Sequence, residues 1–183
     1  MSVIGSTALT FSEDQAMILD VARSFCRDQS TIPAVRALLE SATGFEPAVW
    51  QQMVDMGWPG MALPEAVGGS GLGVAAVVPV MEAMGKSLLG GPLLSSVLAG
   101  QLLLRSVAEP AQETLLAALA AGAPATVALL DNHDWGARQV RCELGVDGVL
   151  QGAKQQVMDA AVAEWFVVVA QQAGEPVLAL VAA

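Results

Sequence analysis

Asp131, His133 and Asp134 fall close together and include the chain's single histidine. Carboxylates and an imidazole so spaced can hold a hard cation or share a proton as a general base. The same residue types also make a solvated loop between two strands, and the surrounding sequence fits that reading better. A second candidate is Gly69-x-Gly71-x-Gly73, whose spacing imitates a phosphate cradle. A dinucleotide fingerprint has to follow a strand and open a helix, whereas this run follows a helix, Pro64 and Glu65. A structural loop between helices is therefore expected. Glu82, an acid on an otherwise apolar helix, is read as solvent-facing or ion-paired. Trp50, Trp58, Trp135 and Trp165, with the 8 methionines, are read as packing residues. Cys26 and Cys142 lie far apart and form no metal or redox motif, so no metal site is expected.

The elements that must position these residues change character along the chain. Ser12 and Gln15 form a Ser-x-x-Gln capping box ahead of Ile18, Val21, Ala22 and Phe25, which share a face at helical spacing. Pro33 and Pro47 suit the first turns of a second and a third helix, the third stopping at Gly57. Residues 57–73 carry six glycines and two prolines, a composition that excludes both helix and strand. Val74 to Leu89, Pro92 to Arg105 and Ala111 to Ala121 read as three further helices. After Gly122 the period shifts. Ala125–Leu130, Gln139–Glu143, Trp165–Ala170 and Val177–Val181 are short apolar runs, with a hairpin turn at Val146-Asp147-Gly148. The fold class expected is α+β: an N-terminal all-helical domain over 1–123, then an incomplete antiparallel β domain over 124–183.

Composition narrows the partners. The chain has 183 residues, 54% hydrophobic, with a net charge of -10 from 8 basic and 18 acidic side chains. Phosphate neutralisation needs clustered Lys and Arg, so nucleic acid and anionic membrane surfaces are disfavoured. Pro92, Gly100, Gln101 and Arg105 break the longest apolar runs, which stay short of the ~18 residues of a membrane span. No signal peptide is visible in Met1 to Thr10, and a reduced, cytoplasmic setting is expected.

Several motifs, in order, resemble one family. Gly57-Trp58-Pro59-Gly60, then Pro64-Glu65-Ala66-Val67-Gly68-Gly69-Ser70-Gly71, is similar to the signature loop of the acyl-CoA dehydrogenases. Met81 to Lys86 resembles the Glu-containing helix that follows it there. Phe11-Ser12-Glu13-Asp14-Gln15 resembles the family's opening segment, Ala128 to Asp131 the start of its middle β domain, and Asp147 to Lys154 its Asp-Gly-x-Leu-x-Gly-x-Lys hairpin. The resemblance implies FAD as cofactor and an acyl-CoA thioester as substrate. It maps the flavin-binding positions onto Leu130, Asp131, Gln156 and Met158, with Gly136 a loose match in the intervening loop. The family commonly carries an aromatic residue and a hydroxyl where Gln156 and Met158 stand, which weakens the expected affinity for flavin.

The family's chemistry removes an α-proton from the thioester while a hydride leaves the β-carbon. Its carboxylate base belongs to a C-terminal helical bundle to which nothing before Ala183 corresponds, so no catalytic residue is assigned. Two functions follow. The chain is part of a flavin-dependent acyl-CoA dehydrogenase, in a homo- or hetero-oligomer with a chain supplying the C-terminal helices; or it is a non-catalytic acyl-CoA-binding or scaffold subunit on the same fragment. An unrelated helical interaction module is disfavoured by the β half. An open strand edge and an exposed apolar surface are expected with either reading.

Overall fold

A computed structural model of the chain describes residues 10–107, 109–133 and 140–183. Six helices come first: α1 (Glu13–Gln29), α2 (Ile32–Leu38), α3 (Pro47–Asp55), α4 (Val77–Ser87), α5 (Leu93–Leu103) and α6 (Pro110–Ala120). The predicted caps explain their ends. The Ser12 hydroxyl accepts from Gln15 N–H while the Gln15 amide oxygen accepts from Ser12 N–H, closing the capping box of α1. The buried stripe of α1 is Leu19, Ala22 and Cys26, flanked by Ile18 and Phe25. Val21, expected on that stripe, is 57% exposed, because the core-facing row runs through 18/19, 22 and 25/26.

The glycine loop is a knot of backbone. Gly60 O accepts from Leu63 N and Ser70 N, Leu63 O accepts from Gly71 N, and Met61 O accepts from Leu72 N. A Cβ on Gly69 would stand 2.2 Å from Leu63 O. The loop is structural, as its position after a helix implies. It closes a core in which α1, α3 and α4 contribute Cys26, Met53, Val80 and Ala83 and the loop itself contributes Trp58. Trp58 meets Phe25 edge to face, and Trp50 Nε1 donates to Gly122 O, so both tryptophans pack as expected. Trp135 lies outside the described residues.

Five strands follow: β1 (Ala125–Ala128), β2 (Glu143–Leu144), β3 (Leu150–Gln151), β4 (Trp165–Gln172) and β5 (Glu175–Ala182). β5 takes the whole of one edge of β4, antiparallel, so β1 and β2 share the other edge. The helical-then-sheet architecture is as expected, but the pairing is mixed. β1 runs parallel to β4 in register Ala125↔Trp165, and β2 is also parallel to β4. The long excursion between β1 and β4 is the physical reason: a parallel pair needs a crossover, which the β2–β3 hairpin and its flanking loops provide. That hairpin turns at Asp147-Gly148 as predicted, Gly148 N donating to Gly145 O. The expected strand at Gln139–Glu143 is Glu143–Leu144; Gln139 lies outside the described residues.

β4 is apolar on both faces because both are covered. Val167 faces a core shared with Leu103, Leu115 and Leu119 of α5 and α6, while Val168 and Ala170 face a second cluster with Cys142 and Ala179. α5 therefore lies on the sheet, and its contact with β1 forms one side of the site. Among the described residues, no helix is long and apolar enough to cross a membrane.

Candidate functional site

Between α5, the end of β1 and the segment after Lys154 lies a cleft of about 310 Å³. Ser95, Leu98 and Leu102 form its helical wall, Thr126, Val127, Leu129 and Leu130 its strand wall, and Gln155, Gln156 and Met158 its third side. Three of the four residues singled out from sequence, Leu130, Gln156 and Met158, thus converge on one cavity. Leu130 is buried in its floor, whereas Leu98, Leu129 and Met158 are each 49% exposed at the rim.

The fourth residue, Asp131, lies apart from the lining. Its side chain is 7% exposed and accepts from the 8%-exposed Lys154 ammonium at 2.9 Å. It also accepts from the backbone N–H of Arg141 and Cys142. Burial pushes this carboxyl up, but the Lys154 bond and the two N–H donors outweigh it and hold the carboxyl below the ordinary aspartate value. Lys154 donates to Leu129 O as well, and Gln155 N donates to Leu130 O. Asp131 and Lys154 therefore strap the end of β1 to the third side of the cleft and bridge from β1 to the start of β2.

That third side departs from ordinary backbone. Gln156 and Asp159 both sit in the left-handed region, at φ 51° and 52°. Neither is glycine, and such residues persist where surrounding contacts over-determine them. Ser95 Oγ supplies one contact, donating to Asp159 Oδ2 at 2.7 Å across the cleft's inner end. His133 is exposed, and the described residues contain no cluster of His, Cys, Asp and Glu that could hold a metal. Asp134 and Gly136 lie outside the described residues.

Ser95, Leu98, Leu102 and Thr126 were not singled out from sequence. The helix residues looked like one more apolar face, and only their packing against β1 reveals that part of α5 stays uncovered. Thr126 has a sharper signal. It is 1% exposed, lines the cleft, and its Oγ1 has no hydrogen-bond partner among the described residues.

The residues fit part of a flavin and the body of an acyl group. Aliphatic side chains supply the flat, dry walls, and the Gln156 amide supplies a donor at the rim. No lysine or arginine lines the cleft to meet a diphosphate, and its volume is at the small end for a ligand pocket.

Comparison with known proteins agrees with this architecture. Residues 12–123 match the family model for the N-terminal domain of acyl-CoA dehydrogenase. The chain is 33% identical over 105 residues to acyl-CoA dehydrogenase IpdE2 of Mycolicibacterium smegmatis, an alignment covering 56% of this chain and 33% of that one. Among solved structures, a variant of the Tcur3481-Tcur3483 steroid ACAD superposes with a TM-score of 0.82 at 29% identity, covering 93% of this chain and 48% of its own. The ChsE4-ChsE5 complex of Mycobacterium tuberculosis does so with a TM-score of 0.82 at 28% identity, covering 94% and 48%. The chain spans about a third of that curated relative and about half of those solved chains. With the helical domain matched from capping box to Ala123, and the sheet following as in its neighbours, the chain belongs to the acyl-CoA dehydrogenase family.

Proposed function

We propose that the chain forms part of a flavin-dependent acyl-CoA dehydrogenase assembled from unlike chains, and that the α5–β1 cleft is its wall of the substrate site. The observation that carries this is the convergence of Leu130, Gln156 and Met158 on one apolar cavity of about 310 Å³. Leu98, Leu102, Val127 and Leu130 would exclude water from the acyl body. Gln156 and Met158 at the rim would hold one edge of FAD, with the Gln156 amide as donor. Bound FAD would supply hydride acceptance, and the α-proton base would come from C-terminal helices of the assembly, outside residues 1–183. The two-polypeptide composition named for the solved neighbours supports an assembly of unlike chains. The steroid named for one of them supports a bulky alicyclic acyl group.

Anaerobic mixing of the purified chain with FAD and a panel of acyl-CoA thioesters tests this, with flavin bleaching as the signal. No bleaching is expected from the chain alone and bleaching after a C-terminal partner is added; bleaching by the chain alone would overturn the division of labour. A second reading, a non-catalytic acyl-CoA-binding or scaffold subunit, is favoured by the absence of an aromatic or hydroxyl side chain at Gln156 and Met158. It predicts acyl-CoA binding without bleaching in any combination.

A further inference from the structure

A buried hydroxyl without a partner costs free energy in the free protein, and beside a cleft it is a place where a ligand can supply the missing bond. Thr126 Oγ1 is such a group, on a residue lining a cleft whose helical and strand walls are otherwise aliphatic but for Ser95. The neighbouring hydroxyls are engaged elsewhere: Ser95 Oγ donates to Asp159, and Ser96 Oγ accepts from Ala125 N. Parallel pairing of Thr126 with Phe166 of β4 fixes the backbone and with it the face of the sheet on which the hydroxyl lies.

We propose that Thr126 is a specificity residue: the cleft takes an alicyclic or aromatic body bearing one oxygen function, a hydroxyl or ketone, which bonds to Thr126 Oγ1. Resting on the reading of the cleft as the acyl-facing wall, this inference specifies that the body is oxygenated at its deep end rather than a plain hydrocarbon. Thr both donates and accepts, so the site admits either oxygen function and disfavours the hydrocarbon of the same shape. A site built to bond an oxygen discriminates because the analogue lacking it leaves a buried polar atom unpaired.

Titration of the full chain with β-naphthol and with naphthalene, followed by ligand fluorescence, tests this on two bodies of one shape. The wild-type chain should bind β-naphthol roughly tenfold more tightly, the scale of one buried hydrogen bond. Thr126→Val keeps the shape, removes the hydroxyl and should bring the two affinities together. The same variant should melt at a higher temperature than the wild type, since a buried unpaired group is gone. Equal affinities in the wild type, or a lower melting temperature for Thr126→Val, would overturn the role of Thr126 and leave the cleft reading intact. Binding of neither compound would remove the cleft reading and this inference together.

Discussion

Glu82 on α4 and Asp131 after β1 each accept a lysine ammonium, and the settings are opposite. In the helical region Glu82 meets Lys86 one turn along and Arg23 across on α1, with side chains 32%, 62% and 48% exposed. In the sheet region Asp131 meets Lys154 with both side chains under a tenth exposed. Exposed pairs lose most of their Coulomb energy to solvent and salt, and the helical region would stay folded without this one because Met53, Val80 and Leu93 are buried beneath it. The buried pair acts on the backbone around the cleft. Its members hold each other, the Leu129 carbonyl and the N–H groups of Arg141 and Cys142, and through these the walls of the cleft. One lysine–carboxylate contact decorates a packed interface; the other, together with the Gln155 N–H bond to Leu130 O, joins the end of β1 to the segment after Lys154.

The largest expected effect breaks the buried pair. Asp131→Ala leaves two backbone N–H groups without an acceptor and a buried ammonium with only Leu129 O, and should cost about 3–5 kcal/mol in denaturant unfolding. Asp131→Asn combined with Lys154→Met removes both charges while one of the two N–H groups keeps an oxygen acceptor, and should recover part of that loss. A loss in Asp131→Ala no larger than in Glu82→Gln would erase the distinction between the two regions.

A smaller effect tests what holds the helical region if its ion cluster does not. Gly69→Ala puts a methyl 2.2 Å from Leu63 O inside a backbone knot that has no flexible side chain to yield, and should cost about 1–3 kcal/mol. Gly85→Ala is the matched control in α4. Nothing lies within 4 Å of the added methyl and the backbone is helical, so the variant should gain roughly 0.5–1 kcal/mol. Opposite signs would locate the stability of this half in close backbone packing and helix propensity; two losses of equal size would not.

The same contrast explains what was legible in the sequence. Helix ends were readable because their signals are local: Ser12 with Gln15, Pro33, Pro47, and the stop at Gly57 each act within one turn. The sheet was readable as strands but not as pairings, since the register of β1 on β4 depends on chain excursions that no local motif encodes. The β4–β5 turn is only half announced: Gly174 takes one left-handed position, φ 89°, but Ala173 takes the other, φ 53°, where glycine or asparagine is usual. At the site, Leu130, Gln156 and Met158 came from motif order and do meet. Thr126 and Leu98 became visible only in three dimensions, from burial without a partner and from exposure on an apolar helix. Asp131 was marked as a flavin-binding position, and its carboxylate bonds Lys154 and the N–H groups of Arg141 and Cys142 beside the cleft rather than lining it.

The smallest expected effect, Glu82→Gln, sharpens the comparison through pH and salt. The Lys86 bond, with Arg23 adding to it against the opposing cost of burial, holds the Glu82 carboxyl below its ordinary value of 4.5. A carboxyl lowered in the folded state contributes stability that is complete above its ordinary value and disappears as the pH falls through the lowered one. Both Glu82 and Asp131 therefore place their loss on the acid side, Asp131 below its ordinary 3.8. They differ in what salt does. The exposed cluster is screened within a Debye length, so any stability difference between Glu82→Gln and wild type at neutral pH should vanish between low and high salt. The part of the acid decline that Asp131 contributes should survive high salt and flatten in the Asp131→Asn, Lys154→Met double variant. Measuring unfolding midpoints against pH at two salt concentrations separates them. An acid decline that high salt abolishes entirely would mean that the Asp131–Lys154 pair behaves as a surface pair, and the strap across the cleft would lose its physical basis.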